Sequence, residues 1–156
     1  MEAIRLTGDD WQTLREVRLA ALADAPYAYG STLAVEQGFD ESTWRDRIDT
    51  ALWVLAVHNA ENAGLVGMYL AEPGTPMLIA MWVNPVHRGR GVGDALVAEI
   101  LRWAAEKSWS QVVLRVADGN DAARKLFLRH GFTSTGRRAP LESDPGVRTE
   151  FLSRAL

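Results

Sequence analysis

The chain contains no cysteine. That absence removes disulfides, thiolate metal sites and a covalent acyl-cysteine intermediate together, and it accords with a reducing compartment, so the cytoplasm is the simplest location. No stretch approaches the roughly 18 consecutive apolar residues of a membrane helix, and Met1 to Asp10 has neither the basic start nor the apolar centre of a secretory signal, so no membrane role is expected. Basic residues are not in excess: a net charge of −3 leaves no electrostatic footprint for nucleic acid as a main partner. Internal repeats, low-complexity tracts and linkers are also missing. What remains is ordinary globular material, 47% apolar and 24% charged over 156 residues, enough for a single domain, residues 1–156, with a proper core.

Hydrophobic spacing orders that material into elements. Ala3 to Thr7 reads as a short strand, and a helix comes next with Trp11, Leu14, Val17 and Ala21 on one stripe, Asp9 and Gln12 serving as its N-terminal cap. Asp24-Ala25-Pro26 ends it. Tyr27 to Gly38 reads as irregular, with Tyr27 and Tyr29 either lining a pocket or sealing the helix end. Asp40 starts a second short helix that stops near Thr50. Leu52 to Val57 is a six-residue apolar run suited to a strand covered on both faces. With Gly64 to Ala71 and Met77 to Val83 it forms an antiparallel meander, punctuated by His58 to Ala63 and by Glu72-Pro73-Gly74-Thr75-Pro76. Ala95 to about Ala105 is amphipathic and helical, and Gln111 to Val116 alternates as a strand, so strand, helix and strand imply a parallel crossover. A helix from Asn120 to about His130, ended by Gly131, precedes two final strands, Phe132 to Gly136 and Val147 to Arg154, with a long loop, Arg137 to Gly146, between them.

The third strand of the meander delivers the chain to Arg88-Gly89-Arg90-Gly91-Val92-Gly93-Asp94, at the opening of a helix. Glycines without a Cβ let successive amide N–H groups turn toward one guest, the helix dipole adds positive potential, and Arg88 and Arg90 add forked donors. A phosphate or pyrophosphate suits such a turn. The Walker loop is excluded because no Gly-Lys-Ser/Thr ends it, and the dinucleotide fingerprint is excluded because Asp94 stands where its last glycine belongs.

The surviving pattern, Arg88-x-x-Gly91-x-Gly93, resembles the acyl-CoA pyrophosphate loop of the GNAT N-acyltransferase superfamily. The stretch Asn120-Asp-Ala-Ala-Arg-Lys-Leu-Phe-Leu-Arg-His-Gly-Phe132 resembles that family's second signature segment, in the right order and separation. The resemblance implies an α+β, three-layer fold with a mixed central sheet of about six to seven strands, splayed between the fourth and fifth strands and flanked by helices. It implies acetyl-CoA as cosubstrate, no metal, and a primary amine of a small molecule or protein as acceptor. By the same resemblance, the backbone of Met81, Trp82 and Val83 pairs with the pantetheine arm. Arg88, Gly89, Arg90, Gly91, Val92 and Gly93 hold the pyrophosphate. Asn120 bonds the pantetheine or caps its helix, Phe127 packs beside the thioester, and Arg129 matches the commonest basic position for the nucleotide phosphate, with Arg124 and Lys125 on the same helix. The amide of Val83 is the implied oxyanion donor.

Two departures bear on mechanism. Relatives often carry a tyrosine seven residues after the asparagine as general acid, and Phe127 stands there, leaving Tyr69 and Tyr29 as substitute hydroxyls. Some relatives place a glutamate on Met77 to Val83, and this strand has none, leaving Glu72, Glu36 and Glu150 as carboxylates for a base. The implied reaction is direct transfer through a ternary complex. A competing function is a non-catalytic acyl-CoA-binding or sensing module; a nucleotide-binding oxidoreductase is disfavoured by Asp94 and by the meander. An exposed edge on Val147 to Arg154 would make a homodimer possible by sheet extension.

Overall fold

In the computed structural model, which describes residues 1–156, one mixed seven-stranded sheet runs through the molecule in the order β1-β2-β3-β4-β5-β7-β6. The strands are β1 (Glu2–Arg5), β2 (Leu52–His58), β3 (Glu61–Glu72), β4 (Thr75–Val83), β5 (Gln111–Ala117), β6 (Thr133–Leu141) and β7 (Asp144–Ala155). Helices α1 (Trp11–Asp24), α2 (Leu33–Gln37) and α3 (Glu41–Thr50) cover one face, and α4 (Val92–Glu106) and α5 (Asp121–Arg129) the other. This is the expected three-layer α+β architecture. Only β4 and β5 run parallel, as a strand-helix-strand order requires.

The two-residue period of the meander divides its apolar residues between the layers. Trp53 and Leu55 of β2 and Leu65 of β3 pack toward α1 and α3, with Leu14, Val17, Leu22 and Trp44. Val54, Ala56, Val66 and Met68 point the other way, toward Leu96, Val97, Ile100 and Ala104 of α4. A sheet covered on both faces explains why Leu52 to Val57 shows no polar alternation. Each fully buried aliphatic side chain stabilises the fold by about 1.5 to 3 kcal/mol relative to exposure. The Trp53 indole lies over Gly67, where a Cβ would come within 2.8 Å of the ring, and its Nε1 donates to the Arg47 carbonyl at 2.9 Å, tying α3 to the sheet.

Several local expectations are corrected. The first cap is Thr7 with Asp10, not Asp9 with Gln12: the Asp10 carboxylate accepts from the Thr7 amide at 2.8 Å, and a 3-10 turn precedes α1. The segment Tyr27 to Gly38 holds α2, whose Thr32 hydroxyl accepts from the Val35 amide. Asp40 does cap α3, accepting from the Thr43 amide at 2.9 Å. The loop expected at Arg137 to Gly146 is mostly strand. β6 and β7 form a hairpin that turns at Glu142-Ser143, and a bulge around Gly136, at φ 81°, absorbs the register slip. The first half of β6 falls on the strand expected at Phe132 to Gly136; hydrophobic spacing could not reveal its continuation to Leu141 because almost all of its side chains face solvent. β7 lies between β5 and β6, so it offers no free edge; the edges are β1 and β6.

Two features of β4 open the sheet near its middle. Its pairing with β3 slips by one residue between Trp82 opposite Leu65 and Ile79 opposite Gly67, and Ala80 there adopts φ 58°, rare for a residue with a Cβ. On its other side β4 meets β5 at one registered pair, Met77 with Val113, after which the two strands part. β5 meanwhile stays paired with β7 from Gln111 to Ala117.

Candidate active site

Six consecutive backbone amides, Gly89 to Asp94, find no acceptor within the protein; the first to pair is Ala95, which donates to the Gly91 carbonyl at 3.0 Å. Three of them are the unpaired first-turn donors of α4, which begins at Val92, earlier than its amphipathic pattern announced. Gly89 and Gly91 have φ of 75° and 80°, which bends the row into a concave cradle, and a Cβ on Gly91 would meet nothing within 4 Å. Concave, donor-lined and capped by a helix dipole, this turn is built for an anion.

The cradle forms one end of a cleft of about 540 Å³, lined also by Tyr29, Met81, Trp82, Val83, Asn120, Leu126 and Arg129. β4 supplies its wall. The Asn84 amide donates to the Ala63 carbonyl at 2.8 Å, and the alternation of an antiparallel ladder then directs the N–H of Val83, one residue earlier, away from β3 and into the gap toward β5. A free strand-edge donor in that gap is what an extended amide-bearing chain, or a developing oxyanion, would use. The Asn120 side chain makes no hydrogen bond and does not cap α5, contrary to one of its two expected roles; its amide faces the cleft.

Charge around the cradle is balanced before any ligand arrives. Arg88 donates through Nη2 to Asp24 at 2.6 Å and through Nε to the Val83 carbonyl at 3.1 Å, while the Trp82 indole donates to the same Asp24 carboxylate at 3.0 Å. Asp94, an anion in the first turn of α4, is held by His130 at 2.8 Å and Arg129 at 3.0 Å. The hydrogen bond to His130, then that to Arg129, keeps its carboxyl below the usual range. The Arg90 side chain is exposed and does not line the cleft, while its backbone amide belongs to the unpaired row. Arg124 is paired with Glu150 at 3.1 Å, and Lys125 is exposed away from the cleft.

Where β4 and β5 part, a neck of about 60 Å³ leads from the cleft to a second cavity of about 270 Å³. Tyr29, Ala28 and Ala80 border the neck, and Phe127 closes its floor, buried and edge-on to Phe132 at 5.9 Å. Phe127 therefore lines the neck rather than the main cleft. The Tyr29 hydroxyl donates to the Met81 carbonyl at 2.9 Å, and burial holds it well above the usual phenol range, which makes it a poor acid. Tyr69 lines the second cavity, with its hydroxyl against the Met77 sulfur at 3.6 Å.

None of the three carboxylates considered from sequence is placed as a free base. Glu72 is exposed at the β3–β4 turn and lines neither cavity. Glu150 is held below the usual range by Arg124 and Ser134. Glu36 is buried beneath Arg18, at 3.0 Å on both carboxylate oxygens, and Arg47, at 2.7 Å. The residues that reach the second cavity from unexpected places are Arg18, Arg47, Arg115 and Glu142. Arg18 had a legible signal, a charge on the apolar stripe between Leu14 and Leu22. Glu142 had none, because it sits at the tip of the unforeseen hairpin, where Ser143 donates to the Tyr29 carbonyl at 2.5 Å.

The family model described as the Acetyltransferase (GNAT) family matches residues 14–132. N-acetyltransferase 8B of Mus musculus is 33% identical over 104 residues, 58% of this chain and 45% of that protein; the chain spans less than half the length of the curated relatives it matches. Two solved structures share the fold over the full length of both chains. They are the ribosomal-protein-alanine N-acetyltransferase from Brucella melitensis, with TM-score 0.81 and 18% identity, and the PaiA N-acetyltransferase from Thermoplasma acidophilum in complex with coenzyme A, with TM-score 0.74 and 16% identity. The family model covers both the amide cradle and the Asn120 helix, and the chain belongs to the acetyltransferase (GNAT) family.

Proposed function

We propose that the protein transfers an acetyl group from acetyl-CoA to a primary amine, directly within a ternary complex. One observation carries this reading: six unpaired amides open onto a cleft that continues, through the gap between β4 and β5, into a second cavity. Gly89, Gly91, Val92 and Gly93 hold the pyrophosphate, with Arg88 beside them. Arg129 meets the nucleotide end, Asn120 and the edge of Met81 to Val83 take the pantetheine arm, and Phe127 packs at the thioester. Bound acetyl-CoA supplies an activated acyl group with a good leaving thiolate. The chain itself contributes position and a fixed donor, the Val83 amide, aimed at the carbonyl oxygen as charge develops there. With no cysteine, an acyl-cysteine route is closed. No metal is assigned. The cytoplasm is the compartment that suits a chain without cysteine. No helix is long and apolar enough to cross a membrane. A homodimer built by sheet extension would have to use β1 or β6.

Coenzyme A titrated calorimetrically should bind, and acetyl-CoA should release thiol when polyamines, amino acids, aminoacyl analogues or peptides are added. The absence of heat would end the proposal. Binding without thiol release for any amine would favour an acyl-CoA sensor, the reading that an apolar neck at Phe127 keeps in play. Phe127→Tyr separates the two further. A thiol has an ordinary pKa of about 8.5, low enough for the thiolate to leave without a proton donor. The substitution should therefore fall far short of the roughly 10²- to 10⁴-fold gain of a needed general acid, as steady-state turnover would show.

A further inference from the structure

The second cavity carries a chemical preference. Three guanidinium groups, Arg18, Arg47 and Arg115, face it or its rim, against two carboxylates, Glu36 and Glu142. Arg115 has an acceptor on each of its three nitrogens: Nε on the Thr149 hydroxyl at 3.2 Å, Nη1 on Glu142 at 2.6 Å and Nη2 on the Pro140 carbonyl at 2.9 Å. It neutralises Glu142, whose carboxyl burial pushes up and Arg115 brings below the usual range. Glu36 lies behind Arg18 and Arg47 and is not part of the cavity wall. One positive charge is left over, and it belongs to the Arg18–Arg47 side.

That side also has unused donors. Arg18 is more than nine-tenths buried, and its Nη1 has no partner although Nε and Nη2 both bond Glu36. Arg47 spends only Nη1, on Glu36; its Nε and Nη2 have no protein acceptor, and the side chain lines the cavity. The Arg47 guanidinium is held in place by Phe39, Trp44 and Trp53, whose ring centres lie 5.6, 4.9 and 5.7 Å from its carbon. A fixed, forked cation with free donors, opposite the neck where Ala80 turns the strand, matches a carboxylate. An acceptor carrying positive charge alone would meet only like charges and the already neutralised Glu142.

We infer that the acceptor is a small primary amine that itself bears a carboxylate, of the amino-acid class, with its carboxylate on Arg47 beside Arg18 and its amine directed through the neck toward the Val83 amide. This rests on the acetyl-transfer reading above and narrows it from amines in general. A cavity of about 270 Å³ suits a single amino-acid-sized molecule better than a folded protein surface.

The test is thiol release from acetyl-CoA with glycine, alanine, phenylalanine, aspartate, β-alanine and γ-aminobutyrate. Each is run against its amide, its methyl ester and the decarboxylated amine. At least one free acid should exceed its uncharged analogues in kcat/KM by about 10-fold or more, the scale of a charge-assisted hydrogen bond to a guanidinium. Arg47→Gln should raise KM for that acid about 10- to 100-fold with little change in kcat and bring acid and amide to parity, and coenzyme A titration verifies that the variant has kept its cleft. Amides or plain amines used as well as the acids by the unaltered protein would overturn the carboxylate assignment while leaving acetyl transfer intact. No thiol release with any acceptor, despite bound acetyl-CoA, would overturn both.

Discussion

Gly91→Val should remove measurable coenzyme A binding, a loss of at least about 100-fold, while the protein still folds. The reason lies in what the residue does at φ 80°. Its conformation directs neighbouring amides into the cradle, and the space above it is empty, with no heavy atom within 4 Å of a built Cβ. A valine there pays roughly 1 to 2 kcal/mol for a left-handed backbone, a sum a domain of this size survives. It also places a branched hydrocarbon where the phosphate oxygens would meet N–H groups. Losing two charge-assisted hydrogen bonds, each worth about 1.5 to 3 kcal/mol, accounts for the expected drop. Gly93, two residues on, behaves differently: a Cβ there would lie 2.9 Å from the end of the Leu126 side chain, so Gly93→Val must displace Leu126 in the α4–α5 packing and lowers stability by about 1 to 3 kcal/mol before binding is considered. Thermal melts and calorimetry on the two variants separate these effects. A Gly91→Val protein that binds coenzyme A normally would show that the cradle does not hold the ligand.

The parts of the molecule legible in its sequence are those where one local signal suffices. The meander shows in β2 as an unbroken apolar run because helices cover both faces, and the cradle shows as glycines because positive φ and a close helix approach leave few other residues possible. Asp40 and Gly131 mark helix ends for the same kind of reason. What stayed hidden depends on distant partners. The continuation of β6 beyond Gly136 has mostly exposed side chains and owes its existence to main-chain pairing with β7, which no hydrophobic period records. The second cavity is assembled from α1, α3, β4, β5 and a hairpin tip, so Arg18, Arg47, Arg115 and Glu142 come together only after folding. Arg90 looked like a ligand for phosphate because it lies between two glycines, yet the turn that opens the amides inward sends its side chain out.

Glu36→Gln should be among the most destabilising single substitutions in the protein, by about 3 to 5 kcal/mol. The Glu36 side chain is 1% exposed and that of Arg18 7%, so removing the negative charge strands a buried guanidinium and leaves Arg47 beside it uncompensated. For comparison, the exposed pair of Glu41 with Arg45 on α3 should contribute no more than about 0.3 to 0.5 kcal/mol. Denaturant titration would read the difference, and at this chain length it corresponds to a melting shift of roughly 6 to 20 °C. The pH dependence has its origin in the same pair. Burial pushes the Glu36 carboxyl up, but hydrogen bonds and charge from Arg18, then Arg47, outweigh it and hold the folded value below the ordinary 4.5. A depressed carboxylate contributes stability that is complete above the unfolded value and disappears as pH falls through the folded one. The unaltered protein should therefore lose stability below about pH 4.5, and Glu36→Gln, already without this contribution, should show a shallower acid slope. The damage should also be directional. Arg18 lies 4.8 Å from the Tyr29 ring centre, and Tyr29 grips the Met81 carbonyl and lines both the neck and the edge of the main cleft, so a loosened Arg18 disturbs the second cavity and the neck first, while the amide cradle, built on the first turn of α4, keeps its geometry. Acetyl-CoA affinity that survives near the melting onset of Glu36→Gln, while transfer to any acceptor fails, is the expected pattern. Simultaneous loss of both would mean that the two halves of the site do not move independently.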